Sequence, residues 1–205
     1  MAARDFLHAD AKKKTAETIK GIEATTSAEV VVALRQRVGE YRATDLVFGF
    51  ACACSALGAL WLSPKTYAVD MMPFEMLGAF VVGAFACAFI PPLRRVLTPK
   101  ISIQRHVDAA ARAAFYDLGI SKTRRRTGVL VFVALYEGSV VLLPDAAVPK
   151  DAVAELGRVK PALDAAVRAR DLDAFFAVLK SLGPGLGKAL PRKAGDENEL
   201  PDEPQ

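Results

Sequence analysis

Apolar positions follow different rhythms in different parts of the chain, and each rhythm predicts a different kind of element. Near the start, Phe6, Leu7, Ala16, Ile19 and Ile22 recur at helical spacing among Lys12, Lys13, Lys14, Glu17, Lys20 and Glu23. That narrow stripe predicts an amphipathic helix, which Thr25, Thr26 and Ser27 end. Glu29 to Val38 (EVVVALRQRV) is rich in β-branched residues and predicts a strand.

Two long apolar runs then follow. Leu46 to Leu62 carries no charge over about 17 residues, near the lower limit for crossing a hydrocarbon core. The second run, Pro73 to Leu93, has one charge, Glu75, at its start. Its last residues, Pro91, Pro92 and Leu93, extend it to Arg94 and Arg95. Both runs are apolar all round and both are bounded by charge, so a membrane hairpin with helices at 46–62 and 73–93 is expected in preference to two buried core helices. Trp61 and Tyr67 fit interfacial anchors. Small residues at four-residue spacing, Gly49 with Ala53 and Ala79 with Gly83, would let the two backbones approach.

Beyond the hairpin a helical pattern resumes from Ile103 to Leu118, with Val107, Ala111, Ala114, Phe115 and Leu118 on one face and Gly119 suited to its C-terminal cap. Gly128 to Leu135 (GVLVFVAL) is apolar on both faces, the mark of a strand inside a sheet. A Tyr136-Glu137-Gly138 turn leads to an antiparallel strand, Ser139 to Leu143, closed by Pro144 and Asp145. The remainder predicts three helices. Asp151 is the expected N-cap of the first, Pro161 stands in the first turn of the second, and the third runs from Leu172 to Leu182. The run Gly183-Pro184-Gly185-Leu186-Gly187 then reads as a break. From residue 191 the tail is polar and acidic, and disorder is expected there.

Neither flank could bury a core alone, so the Glu29 strand is expected to pair with the Val129 strand. The resulting fold class is α/β, with a small central sheet flanked by helices and interrupted by a two-helix transmembrane hairpin. Residues 1–45 and 94–190 would form one split domain and residues 46–93 the hairpin. An antiparallel hairpin returns the chain near its point of departure, which makes such an insertion tolerable.

Composition sharpens the picture in two respects. The chain of 205 residues is 52% hydrophobic but only 8% aromatic, and the aliphatic excess collects in the two runs. Cys52, Cys54 and Cys87 all lie inside those runs, where a thiol behaves as a small hydrophobe. The N-terminus is charged and shows no cleavable signal peptide.

Charge gives an orientation. Arg35, Arg37 and Arg42 precede the first run, and Arg94, Arg95, Lys100 and Arg105 follow the second. The connecting loop holds only Lys65 against Asp70 and Glu75. The positive-inside rule therefore places both termini in the cytoplasm. The net charge of +4 is modest. The basic cluster Lys122, Arg124, Arg125 and Arg126 lacks the aromatic interleaving of a nucleic-acid module, so no nucleic-acid partner is expected. An anionic leaflet of the lipid bilayer, or another membrane protein, fits better.

The segments T-S-A-E-V-V-V at 26–32, F-Y-D-L-G-I-S-K-T-R-R-R-T-G-V-L-V-F-V-A-L-Y-E at 115–137 and P-D-A-A-V at 144–148 occur in that order. With N-E-L-P-D at 198–202, they resemble the TPM domain family, in its bacterial branch with transmembrane helices. The resemblance covers most of residues 1–155 outside the hairpin, and its most specific part is K-T-x-x-R-x-G-V-L-V-F-V. It implies an α/β domain with a sheet sandwiched by helices and a bacterial inner-membrane location. Plant members of the family are associated with acid phosphatase activity and photosystem II maintenance. An animal relative is an auxiliary subunit of a receptor, and bacterial membrane members mostly lack an assigned reaction.

Phosphoryl transfer needs groups that hold anionic oxygens and a cation or activated nucleophile. The candidate metal ligands are Glu29, Glu137 and Asp145, at strand ends, for Ca2+ or another divalent cation. Asp145 and Glu137 would be the catalytic pair. Thr123, Arg124, Arg126 and Thr127 are the phosphate-binding candidates. Each also has a structural reading as a turn or strand-end residue. There is no D-x-D pair, no His cluster beyond His8 and His106, and no phosphate-loop or dinucleotide pattern, so no organic cofactor is expected. The balance favours an accessory or assembly module that works by binding, with a weak metal-dependent phosphomonoesterase as the alternative.

Overall fold

The computed structural model describes residues 9–64 and 68–192. The expected tail beyond Arg192, the resemblance at 198–202, Phe6, Leu7 and His8, and loop residues Lys65 and Tyr67 lie outside the described residues. The chain divides into two compact units, one made of the segments up to Val38 and from Arg105 onward, the other of Gly39–Gln104.

The first unit is an α/β body. Helix α1 (Ala9–Glu23) leads to strand β1 (Val30–Arg35), shorter at both ends than the sequence predicts. Strands β2 (Val129–Ala134) and β3 (Ser139–Pro144) complete a three-stranded sheet in the order β1-β2-β3. β1 runs parallel to β2 with Val30 opposite Val129, and β2 runs antiparallel to β3 with Val129 opposite Pro144. The strand before the two apolar runs thus pairs directly with the strand after them. All six residues of β2 are buried, because it is the central strand and both its faces are covered.

Alternation along the strands separates the two faces. Val30, Val32, Leu34, Val129, Val131, Val133 and Val140 enter one continuous core with Ile19 and Ile22 of α1. Three C-terminal helices, α6 (Lys150–Ala169), α7 (Leu172–Lys180) and α8 (Leu182–Ala189), supply most of the rest of that core through residues such as Leu156, Leu163, Phe175, Leu179 and Leu186. On the opposite face, Val31, Ala33, Leu130 and Phe132 are equally buried. Helix α5 (Lys100–Asp117) directs Val107, Ala111 and Ala114 inward there. Gly119 follows it with φ of 70°, a left-handed cap of the kind glycine adopts without strain.

The C-terminal helices depart from the sequence expectation in two places. Residues 150–169 form one helix, with Pro161 in its interior and Pro149, not Asp151, at its N-cap. Ala152, Leu156, Leu163, Ala166 and Val167 make one unbroken buried face, and Pro161 and Gly157 are both exposed. Burial of that face outweighs the loss of one backbone hydrogen bond, and the carbonyl of Gly157 is left to solvent. The Gly183–Gly187 run is helical rather than a loop, since the chain breaks only at Ser181 and Pro184 falls in the first turn of α8. Glycine serves close approach here: a Cβ on Gly187 would stand 2.8 Å from the Thr25 carbonyl oxygen. Pro191, expected in the tail, instead bridges to Thr26.

The second unit is a helical hairpin. α2 (Arg42–Leu62) and α3 (Met72–Phe89) are joined through a short turn of 3-10 helix at Val69–Met71. α3 does not continue through Pro91 to Leu93 as the sequence suggests. Ile90 is extended, and a separate helix, α4 (Pro91–Leu97), begins at the two prolines. The cause is local: a residue before proline is pushed out of the helical region, and neither proline can donate a backbone hydrogen bond.

Candidate functional site

The sheet register decides which candidate residues share a neighbourhood. Val30, Val129 and Pro144 lie side by side, so Glu29, Thr127 and Asp145 fall at one end of the sheet. Glu137, in the turn between β2 and β3, stands at the other end, roughly 17 Å away at the rise of an extended strand. The expected metal set of Glu29, Glu137 and Asp145 is therefore not one site, and Asp145 and Glu137 cannot act as a catalytic pair on one cation. Glu29 and Asp145 are separated by the width of β2, roughly 10 Å between backbones.

At the first end, Asp145 is almost wholly enclosed, with its side chain 3% exposed. Its backbone N–H donates to the Gly128 carbonyl at 2.8 Å, which continues the β2–β3 ladder by one step. Oδ1 accepts from the Ala146 amide at 2.6 Å and from Arg126 Nη2 at 3.2 Å, while Oδ2 accepts from Arg126 Nε at 3.4 Å. Arg126 itself has φ of 54°, an uncommon conformation for a side chain with a Cβ. Its carbonyl accepts from the Ala147 amide at 3.0 Å, so backbone and side chain both hold the turn against β3. The carboxylate is thus neutralised from outside by a guanidinium that stays half-exposed. A cation could reach Asp145 only by displacing Arg126.

The two threonines proposed for phosphate binding are turned inward. Thr127 Oγ1 donates to the Ser27 carbonyl at 3.1 Å and Thr123 Oγ1 donates to the Ile120 carbonyl at 3.3 Å. Both residues are buried, and their hydroxyl protons fasten the β2 entry to its neighbours. Arg124 is exposed, as are Arg125 and Lys122, so this turn presents its cations outward while the two threonine hydroxyls face inward.

At the far end, Glu137 is also buried. Its Oε1 accepts from the Val38 amide at 3.0 Å, which anchors the chain leaving β1 to the β2–β3 turn. Arg37 packs over the Tyr136 ring at 5.2 Å. Nearby, a cleft of about 280 Å3 is lined by Arg35, Arg37, Asp117, the α5 alanines and Phe132. Arg35 ends β1 and Arg37 lies beyond it, so their convergence with Asp117 depends on the path of the chain after the strand and on where α5 crosses, which periodicity does not show.

One carboxylate escaped the sequence reading. Asp164 of α6, 9% exposed, accepts from the Val140 amide at 2.6 Å and from Lys160 Nζ at 2.8 Å. It satisfies an outward-facing amide on an edge strand, and so blocks pairing with another strand there. In sequence, Lys160 and Asp164 look like an ordinary helix-surface pair. Among the described residues, no three His, Cys, Asp or Glu side chains come together to hold a metal ion.

The second unit has its own polar feature. Arg94 of α4 grips Asp45 of α2 through two hydrogen bonds, with both side chains about a tenth exposed. The Thr44 and Thr98 hydroxyls meet at 3.2 Å, and Thr98 Oγ1 also donates to the Arg94 carbonyl at 2.7 Å.

No family model matches the chain. No curated protein matches it either. Among solved structures, it is similar to the NMR structure of the BA42 protein from the psychrophilic bacterium Bizionia argentinensis, with a TM-score of 0.56 and 18% identity over 97% of this chain and 94% of that one. At that identity the likeness concerns the fold alone.

Proposed function

We propose that this chain is a membrane-anchored, TPM-like accessory or assembly protein, in which the α2–α3 hairpin spans the bilayer and tethers the α/β unit on the cytoplasmic side. One observation carries the reading. Two helical stretches of 21 residues, Arg42–Leu62 and Val69–Phe89, are apolar enough to span a membrane, and only 17% and 11% of their apolar windows are buried within the protein. Core helices of a soluble protein would hide most of that surface. Here Val47, Phe50, Trp61, Phe74, Val82 and Phe89 all point outward. An exposed apolar surface of this extent calls for lipid or a partner. The charges near its ends favour lipid, with both termini in the cytoplasm of a bacterial cell.

Binding suits the α/β unit better than catalysis. Its buried carboxylates are each committed to a structural contact: Asp145 to Arg126, Glu137 to Val38 and Asp164 to Val140. Tethering raises the local concentration of a membrane-embedded partner without any new contact. The alternative, a weak metal-dependent phosphomonoesterase, rests on Asp145 beside half-exposed Arg126, with Glu29 at the same end of the sheet.

The full chain, expressed in a bacterium, is expected to sediment with membranes and to stay there through an alkaline carbonate wash. Release as a soluble monomer would overturn the membrane reading. Purified protein assayed on a generic phosphomonoester with Ca2+, Mg2+ or Mn2+ separates the two functions: turnover that disappears in Asp145→Ala would establish the enzyme, and no turnover with any of the metals supports the accessory role.

A further inference from the structure

We propose that the groove at the charged end of the hairpin is a binding site for an anionic phospholipid, which it selects over a zwitterionic one; this rests on the membrane reading above. The groove, about 380 Å3, runs between α2 and α3 and is lined by Arg42, Leu46, Ala84, Phe85, Ala88 and Phe89, with Asp45 at its base. Its walls suit an acyl chain. Phe85 and Phe89 stack nearly parallel, with centroids 5.8 Å apart and planes 7° apart, and both are mostly exposed. Ala84 and Ala88 keep the groove open beside that flat aromatic wall.

The charges decide the headgroup. Asp45 would repel an anion, but its carboxylate is held at two points by Arg94, so the base of the groove is electrically neutral. The remaining charge is Arg42, whose partner Glu40 stands 3.5 Å away, with side chains 84% and 79% exposed. Such a solvent-screened pair is weak, and a lipid phosphate arriving along the groove can take Glu40's place at small cost. Arg42 opens α2 at the end that the positive-inside rule assigns to the cytoplasmic leaflet, where anionic lipids concentrate. Acyl-chain walls, a neutral base and one guanidinium at the mouth together describe a glycerophospholipid with a net negative headgroup.

The test uses the full chain purified in detergent, with lipid occupancy counted by intact-protein mass spectrometry during titration with dioleoyl-phosphatidylglycerol or dioleoyl-phosphatidylcholine. Wild type is expected to prefer the glycerol lipid by about fivefold, the value of one basic side chain near an anionic headgroup. Arg42→Gln removes the preference. Arg95→Gln, on α4 and outside the groove, retains it. Ala88→Leu fills the groove and lowers binding of both lipids. A preference that survives Arg42→Gln, or that Arg95→Gln abolishes equally, overturns the proposal in favour of diffuse surface attraction. So does a detergent-stable dimer that excludes lipid, since a second copy would then occupy the groove. A chain that needs detergent yet shows no preference overturns only this site; one soluble without detergent overturns the membrane reading with it.

Discussion

Asp45 and Arg94 stand 49 residues apart in sequence, yet Arg94 Nε donates to Asp45 Oδ1 at 2.7 Å while Nη2 reaches Oδ2. The pair locks α4 onto the first turn of α2, where the hairpin begins and ends. Its two-point geometry offsets the desolvation of both charges, but either charge alone would be stranded. Asp45→Ala is therefore expected to destabilise the hairpin by about 3 kcal/mol, and Arg94→Ala by a similar amount. The double variant should lose less than the two losses added together, because neither orphaned charge remains. Thermal unfolding of the full chain in detergent measures all three. Additive losses would mean that the pair is ornamental.

The same interface predicts a steric asymmetry between glycines. A Cβ on Gly83 would stand 2.7 Å from Cys52 Sγ and 3.2 Å from the Gly49 Cα, whereas one on Gly58 or Gly78 would meet nothing within 4 Å. Gly83→Ala should push α2 and α3 apart at a cost of about 1–3 kcal/mol. Gly58→Ala should leave stability unchanged or raise it by up to about 1 kcal/mol through helix propensity. Unfolding midpoints in one detergent decide between them, and equal effects would mean that the helices do not cross at Gly83.

Much of this hairpin was legible in the sequence. Gly49, Ala53 and Gly83 are at the helix seam, and the four-residue spacing of Gly49 with Ala53 and of Ala79 with Gly83 pointed to it. What could not be read was the contribution of Asp45 and Arg94, since a charge at the end of an apolar run looks the same whether it faces water or a partner. The strands were legible too, from β-branched alternation and the apolar run of β2. The site was legible only in part: the β2–β3 hairpin by itself separates Glu137 in its turn from Asp145 at its open end, whereas the parallel alignment that brings Glu29 to the Asp145 end is long-range, and nothing local specifies it. Local chemistry also misled at Gly183–Gly187, where close packing against Thr25 outweighs the breaking tendency of the glycines.

That register has a thermodynamic signature. Asp145→Asn weakens the Arg126 pair, and Glu137→Gln changes the acceptor for the Val38 amide. Each should cost about 1.5–3 kcal/mol, the usual range for hydrogen bonds involving a charged group. At roughly 17 Å separation with no shared partner, the two losses should add to within about 0.5 kcal/mol. Chemical unfolding with and without Ca2+ measures the coupling. A large interaction energy that appears only with the cation would reunite the two carboxylates in one site and contradict the arrangement described above.

Pro161 offers the converse experiment, a substitution expected to stabilise. It sits inside α6 with its ring exposed, and the carbonyl four residues earlier belongs to exposed Gly157. Alanine at 161 restores an N–H that can bond that carbonyl and removes the ring's clash with the preceding turn. Intrinsic propensities differ by about 3 kcal/mol between the two residues in an ideal helix, and a helix already adapted to its proline should recover part of that, about 1–2 kcal/mol. Part of the gain is offset, since proline also restricts the unfolded chain. If Pro161→Ala destabilises the protein instead, residues 150–169 behave as two helices meeting at the proline, and the unbroken face from Ala152 to Val167 is not what holds them in line.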